Sequence, residues 1–327
     1  MFFVRLSVFA VFSLLLACAT PQRVARAPDF ERPIPQPVAA DELPAIELNF
    51  SEDGFAYLDG KTGLALQQAD VFRLARESQI ILVGERHDDE NDHLVQADII
   101  RAVGQGENVL HVGFEMVERT NGSALDRFSR AEIDVDGLYA ALSWEETWGF
   151  DAELYRPVWD AVRAVKARPV GINAPRTLVR AVARQGLAAL SVDDKAQLPE
   201  MDLGDQVHRE LVQGAFQMHH HAAVSEDGFE RFYAAQVLWD ETMAQELVGA
   251  LDAGATHVVG LAGNGHVEGY RGIPQRILRR KPNVRLLTIV PLHLADDANP
   301  NEGAREAVAE RLGDILVIRA PRSVLSL

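Results

Sequence analysis

Apolar residues in this chain gather into short, mostly β-branched runs separated by helix-length intervals. The runs are Ile80 to Val83, Val109 to Phe114, Pro169 to Ile172, His257 to Leu261, Leu286 to Val290 and Ile315 to Ile318. Unbroken apolar runs of this length read as strands covered on both faces, and their alternation with helical stretches implies an α/β fold, a mostly parallel β-sheet flanked by helices. From Ala152 to Ala167, Leu154, Val158, Val162 and Val165 form one helical stripe, with Asp151 placed to cap its start. Pro157 falls slightly late for the first turn and predicts a bend.

Two intervals break the alternation. Residues from about 187 to 235 are polar and lack a strand-like run, which predicts a smaller helical insertion beside the sheet. It passes into a strong helix around Phe229 to Leu251, where Phe232, Trp239, Met243 and Leu247 recur at helical spacing. Ahead of the first run, residues 46 to 79 predict a short hairpin, Phe50 to Leu58 with Gly60 to Leu66, then an amphipathic helix presenting Val71, Leu74 and Ala75.

The N-terminus belongs to none of this. Residues 1 to 17 carry one early charge, Arg5, and then an apolar stretch too short to span a bilayer, which takes roughly 17 to 25 residues, so they read as a secretory signal. Leu15-Leu16-Ala17-Cys18 looks like a bacterial lipobox, making Cys18 the expected lipidation site. Residues 18 to 45, rich in proline, form an expected tether, leaving 46 to 327 as the folded domain. Ala19 after the cysteine resembles the sorting signal for outer-membrane retention, so the expected location is the cell envelope, lipid-anchored at the outer membrane and facing the periplasm or the surface. Cys18 is the 1 cysteine of the chain, so no intrachain disulfide forms.

Charge removes one class of partner. With 32 basic against 48 acidic side chains and a net charge of −16, the chain has no surplus to neutralise phosphates, and nucleic acid is not an expected partner.

Polar side chains follow several runs directly: Glu85 and His87 after the first, Glu115 after the second, Asn173 and Arg176 after the third, Asn264 and His266 after the fourth. In a parallel sheet these carboxyl ends converge on one crevice. Two turns share a form, Gly84-Glu-Arg-His87 and Gly263-Asn-Gly-His266, each with a glycine to leave the strand sharply and a histidine to point back over its end. His87, Glu115 and His266 could together bind a divalent metal, polarise a carbonyl or exchange protons. Asp88, Asp89, Glu90 and Asp92 fit the first turn of the next helix, complementing its dipole, and His93 is either a ligand or an exposed helix residue. His219, His220 and His221 cannot all reach one ion from a regular helix, since successive side chains point about 100° apart. They read as a solvated loop or a ligand contact. Trp144, Trp148, Phe150 and Tyr155 either floor an apolar pocket or fill core.

These residues resemble the ChaN-like family of haem-binding bacterial lipoproteins. The matching pieces are Leu82-Val-Gly-Glu-Arg-His87 with His93, Phe114-Glu-Met116, Trp148-Gly-Phe150 with Tyr155-Arg-Pro157, Asn173-Ala-Pro-Arg176, Gln236 with Trp239-Asp-Glu-Thr-Met-Ala244, and Gly263-Asn-Gly-His266 with Gly272-Ile-Pro274. The resemblance implies an α/β core with a smaller helical portion, haem as cofactor and a part in haem or iron acquisition. It names Glu85, His87, His93, Tyr155, Asn173, Arg176, His266 and Tyr270 as cofactor-binding candidates, with Tyr233 a further iron-ligand candidate and Arg176 or Arg271 for the propionates. The wider group includes Tiki-type metalloproteases and erythromycin-esterase-like hydrolases. On that side of the resemblance, His87, Glu115 and His266 become a catalytic or metal-binding set, and the alternative function is a metal-dependent esterase or peptidase. The implied partners are haem or a related iron porphyrin, a membrane through the lipid anchor, and a second copy of the chain as a homodimer.

Overall fold

The computed structural model describes residues 35–219, 225–294 and 299–320. The expected signal segment, Cys18, the first part of the expected tether, His220 and His221 lie outside the described residues, and of His219 only the backbone is described.

Every apolar run becomes a strand. They are β1 (Phe55–Asp59), β2 (Ala65–Leu66), β3 (Ile80–Glu85), β4 (Leu110–Glu118), β5 (Arg168–Asn173), β6 (His257–Gly263), β7 (Leu286–Leu292) and β8 (Ile315–Arg319). They form one 8-stranded sheet in the order β2-β1-β8-β7-β3-β6-β4-β5. Neighbours from β3 to β8 are parallel, while β1 runs antiparallel to both β2 and β8. The predicted hairpin therefore exists in shortened form, as an antiparallel edge on a parallel sheet.

The strands reach further at their carboxyl ends than the apolar runs suggest. Glu85 pairs with Gly263 in the β3–β6 ladder, so the first glutamate is the last residue of its strand rather than part of the turn. β4 continues to Glu118 through a register shift against β5 between Phe114 and Glu118. Glu115 sits inside that irregularity, the kind of bulge that re-aims a side chain. Backbone pairing extends the strands here regardless of polarity, because an unpaired buried amide costs more than a polar residue in the ladder.

Alternation along each strand divides the core. Ile81, Val83, Phe114, Val259, Leu261 and Ile289 face helices Gln68–Glu77, Glu90–Val103 and Arg156–Ala164. Ile80, Leu82, Val258, Ala262, Leu286 and Val290 face helices Glu226–Asp252, Ile273–Arg280 and Pro300–Ala309. Glu85 continues the first set and so enters the layer under helix Glu90–Val103. The expected helix from Ala152 is a 3-10 turn, Ala152–Tyr155, followed by helix Arg156–Ala164, and Asp151 does cap it. Pro157 thus lies in the first turn of the second piece, where its missing N–H costs nothing, and the change of helix type falls just before it.

The insertion is helical, with Val192–Ala196 and Gln206–His219 its principal helices. Small apolar clusters seat it on the first half of the 27-residue helix Glu226–Asp252, around Ala234, Ala235 and Leu238 and around Phe229, Tyr233 and Val237. The second half of that helix lies on the sheet through Met243, Ala244 and Leu247. Asp240 falls at the junction. The end of the tether is docked rather than free: Val38 N donates to Ala309 O and Arg305 reaches Leu43 O. Among the described residues no helix is long and apolar enough to cross a membrane.

Candidate functional site

β3 and β6 are adjacent, and each ends in a glycine-led turn carrying a histidine. Neither Gly84 nor Gly263 adopts the left-handed backbone expected for a sharp exit. Space is what they provide. A Cβ on Gly263 would stand 2.8 Å from His87 Cε1 and 3.1 Å from its Nε2, and one on Gly84 would stand 2.0 Å from Asn264 Oδ1. The imidazole of His87 therefore lies flat over the end of β6, where any side chain would displace it.

His87 is held by a buried carboxylate. Its Nδ1 lies 2.7 Å from Glu85 Oε1, which also accepts from Tyr155 Oη at 2.6 Å, while Glu85 Oε2 accepts from Gln96 at 2.7 Å. Trp148 Nε1 donates to Tyr155 Oη at 3.1 Å. The ring of His87 packs against Trp148 at 4.7 Å and Phe150 at 5.0 Å between centroids. With Nδ1 engaged, Nε2 is the nitrogen offered to the crevice. A cavity of about 640 Å³ opens beyond Phe150, bordered by Tyr139, Ser143, Glu145, Glu146 and Asp151.

The second histidine repeats the arrangement from the opposite face of the sheet. His266 Nδ1 lies 2.7 Å from Asp240 Oδ1, and its Nε2 lies 3.5 Å from Glu115 Oε1. Glu115 Oε2 accepts from Gly263 N at 2.7 Å, which fixes the carboxylate over the β6 end beside His87. Behind Asp240 stand His208 at 3.3 Å and Arg276 at 3.6 Å, and Arg276 also approaches Glu241 at 3.4 Å. Trp239 meets the ring of His266 edge-on at 6.4 Å.

Electrostatics follow from this pairing. Burial pushes Glu85 up, but the hydrogen bond from His87 and the nearness of His93 outweigh it and hold the carboxyl at about 2. Burial pushes His266 down, but Glu115 and Asp240 outweigh it and raise the imidazole to about 9. His87 is likewise raised, its burial overcome by Glu85 and Glu115. Asp240 is depressed despite its burial, because Arg276 and His266 stabilise its charge. At neutral pH His266 is a cation between two carboxylates.

The structure thus brings together Glu85, His87, Glu115, Tyr155 and His266, with Asn173 in support: its side chain donates to Glu115 O at 2.7 Å. Other expectations are corrected. His93 is neither exposed nor in the crevice; it is fully buried behind Glu85 at 3.7 Å, its ring tilted against Tyr155 at 4.1 Å, where the helix turns it inward. Arg176 is committed to the carbonyls of Glu146 and Thr147 at 2.7 and 2.9 Å, so it anchors the Trp148 segment instead of facing a ligand. Tyr155 is spent on Glu85, and burial followed by the charge of Glu85 raises its phenol far above the ordinary range. Tyr233 donates to Asp205 O, and Tyr270 is bonded to Asp314 at the start of β8, away from the crevice. All five tyrosines are at most 9 % exposed. Arg271 is half-buried, with Asp205 within electrostatic reach.

The expected metal set is also redrawn. Among the described residues, the His and carboxylate group with donor atoms all within 4.8 Å of one another is Asp89, Asp92 and His293, not His87, Glu115 and His266. Sequence reasoning missed Asp240, Gln96 and His208 as supports. One signal was available for Asp240: with Glu241 it interrupts an apolar stretch of helix, and both are nearly fully buried.

A sequence profile described as haem-binding uptake, Tiki superfamily, ChaN matches residues 71–277. The chain belongs to this family. The span takes in both histidine turns, Glu115, Asp240 and the aromatic wall. Among solved structures, one of cofacial haem binding to ChaN of Campylobacter jejuni is similar, at 19 % identity and a TM-score of 0.64 over 84 % of this chain and 99 % of that one. A Bacillus cereus protein (10 % identity, TM-score 0.48, 78 % and 92 % covered) and an erythromycin esterase in its open conformation (16 %, 0.44, 78 % and 80 %) are more distant. Among curated proteins no sequence matches. At these identities the likeness establishes the mostly parallel α/β fold of this ChaN-family chain.

Proposed function

We propose that this protein is a haem-binding lipoprotein of the outer membrane that serves haem or iron acquisition, and that His87 holds the iron. The carrying observation is the donor inventory of the crevice. His87 is 27 % exposed, with Nδ1 fixed by Glu85 and its ring packed against Trp148 and Phe150, whereas every tyrosine is at most 9 % exposed. Imidazole is an established axial donor, and Trp148 and Phe150 supply the apolar face that a flat macrocycle requires. Bound haem supplies ligand exchange and electron transfer at iron; the protein's part is to aim Nε2 and exclude water. The acidic border of the cavity beyond Phe150 disfavours propionates, so the His87 side of that ring is the haem face. Because Nε2 must be unprotonated to bind iron, and Glu85 and Glu115 raise the imidazole against the effect of its burial, affinity should fall on acidification and begin to fall at a higher pH than for an ordinary imidazole.

Hemin titrated into micromolar protein should give a saturable Soret shift that His87→Ala weakens at least about tenfold, roughly 1.4 kcal/mol. A response absent from the native protein, or unchanged in His87→Ala, refutes this assignment. Lipid attachment at Cys18 is tested by acyl labelling of the native protein and of Cys18→Ser, which should lose the label and leave the membrane fraction.

A second reading, hydrolysis of an ester or peptide, is favoured by Glu115 beside a cationic His266. The carboxylate could take a proton from water while the imidazolium stabilises the developing oxyanion. Turnover of an ester or peptide panel that Glu115→Gln abolishes would support it; no turnover removes it.

A further inference from the structure

We propose that Asp89, Asp92 and His293 hold one divalent transition-metal ion, at a site separate from the haem crevice. His293 follows β7, and the two aspartates open helix Glu90–Val103 after β3, so the site shares the carboxyl rim with His87 and His266 but lies across β3 from β6. His293 Nε2 lies 2.8 Å from Asp92 Oδ2 and 3.8 Å from Asp89 Oδ2. An ion bonded at about 2.1 Å sets adjacent donors roughly 3.0 to 3.4 Å apart, and the donor atoms here already lie within 4.8 Å of one another, so small side-chain shifts close the set.

The donors are already oriented by other bonds. Asp89 uses Oδ1 to cap the helix through Asn91 N at 2.9 Å, which leaves Oδ2 directed at His293. Asp92 is nearly buried, with Oδ2 fixed by Arg86 N at 2.7 Å. A helix-start aspartate that served only the dipole would face water; this one faces an imidazole from a strand end 201 residues away. Glu268, half-buried, lies within electrostatic reach of His293 but outside this donor set.

Two features oppose a cation here, the helix N-terminus and Arg86, whose guanidinium lies 3.4 Å from Asp89 Oδ2. The two negative charges of Asp89 and Asp92 exceed the single charge of Arg86 and the roughly +0.5 of the helix terminus together. Arg86 is 56 % exposed and can turn into solvent. One imidazole with two carboxylates suits Zn²⁺, Mn²⁺, Fe²⁺ or Co²⁺ better than Mg²⁺ or Ca²⁺, which prefer all-oxygen shells. Bound there, the ion joins the end of β7 to the turn that carries His87.

The test is a titration of chelator-stripped protein with Co²⁺, read by visible absorption and calorimetry. One equivalent should bind with a Kd in the micromolar range or tighter. His293→Ala and Asp92→Asn should each weaken it at least about tenfold, about 1.4 kcal/mol, and Arg86→Ala should tighten it. His87→Ala and His266→Ala should leave it unchanged. If Asp92→Asn fails to fold by circular dichroism, His293→Ala decides alone. Binding that survives His293→Ala, binding lost with His87→Ala or with replacement of His219, His220 and His221, or no binding at all overturns the proposal. A hemin titration of His293→Ala separates the two sites: its Soret response stands or falls with the haem reading alone.

Discussion

At the scale of single residues, the site is built from two histidines, each backed by a buried carboxylate. A carboxylate on Nδ1 sets the tautomer, orients the ring and raises its basicity. Glu85 does this for His87 while accepting from Tyr155 and Gln96, so both of its oxygens are surrounded by donors. In Glu85→Gln the new amide turns two donor hydrogens toward groups that already donate. The expected result is a His87 imidazole that titrates nearer its ordinary value in NMR and a hemin affinity lowered about tenfold or more. Gly263→Ala acts on the same ring without touching its chemistry. Its Cβ would stand 2.8 Å from His87 Cε1, and the imidazole, not the backbone, is the group able to move. Hemin binding should fall several-fold while the unfolding free energy changes by about 1 kcal/mol or less. Equal losses of binding and stability would argue that the glycine serves the sheet instead.

At the scale of elements, the long helix and the short helix Trp144–Thr147 before Trp148 matter most. Helix Glu226–Asp252 supports the sheet with one half and the insertion with the other, and Asp240 lies where the two meet. Its charge is tolerable in the interior because Arg276, His208 and His266 surround it. The aromatic wall depends on a single cation, Arg176, whose guanidinium caps the carbonyls of Glu146 and Thr147. Arg176→Ala should release the segment from 143 to 150, seen as faster limited proteolysis there, and weaken hemin binding about three- to tenfold while the global unfolding transition moves little. Unchanged proteolysis would show that the wall stands without its anchor.

At the scale of the whole molecule, opposite pKa displacements confine stability to a window. Glu85, held near 2 in the fold against an ordinary 4.5, contributes stability that is complete above pH 4.5 and is lost as pH falls toward 2. His266, raised from 6.5 to about 9, contributes stability that is complete below pH 6.5 and is lost as pH rises through 9. Denaturation midpoints should therefore peak between about pH 4.5 and 6.5 and decline on both sides, by on the order of 2 to 3 kcal/mol at each extreme. Glu85→Gln should flatten the acid limb and His266→Gln the alkaline one. A profile unchanged by either variant would place the pH dependence elsewhere among the chain's 48 acidic groups.

Much of this was legible in order along the chain. The strands, the parallel sheet, the helical insertion and the convergence of His87, Glu115 and His266 follow from local patterns: buried strands must be apolar, helices must show a stripe, and parallel strands deliver their carboxyl ends to one edge. Partnership was not legible, because it depends on which face of the sheet a side chain enters. Tyr155 and Arg176 looked like ligand contacts, and packing committed them to Glu85 and to the last carbonyls of helix Trp144–Thr147. His93 and Asp92 share the first turn of one helix, yet its rotation places the first behind Glu85 and the second against His293, a residue 201 positions distant. The sequence by itself determined that two glycine-led turns carry histidines to one rim. Only the tertiary structure decided which carboxylate stands behind each, since a buried charge takes the nearest donor that folding supplies, and that nearness is not encoded in sequence separation.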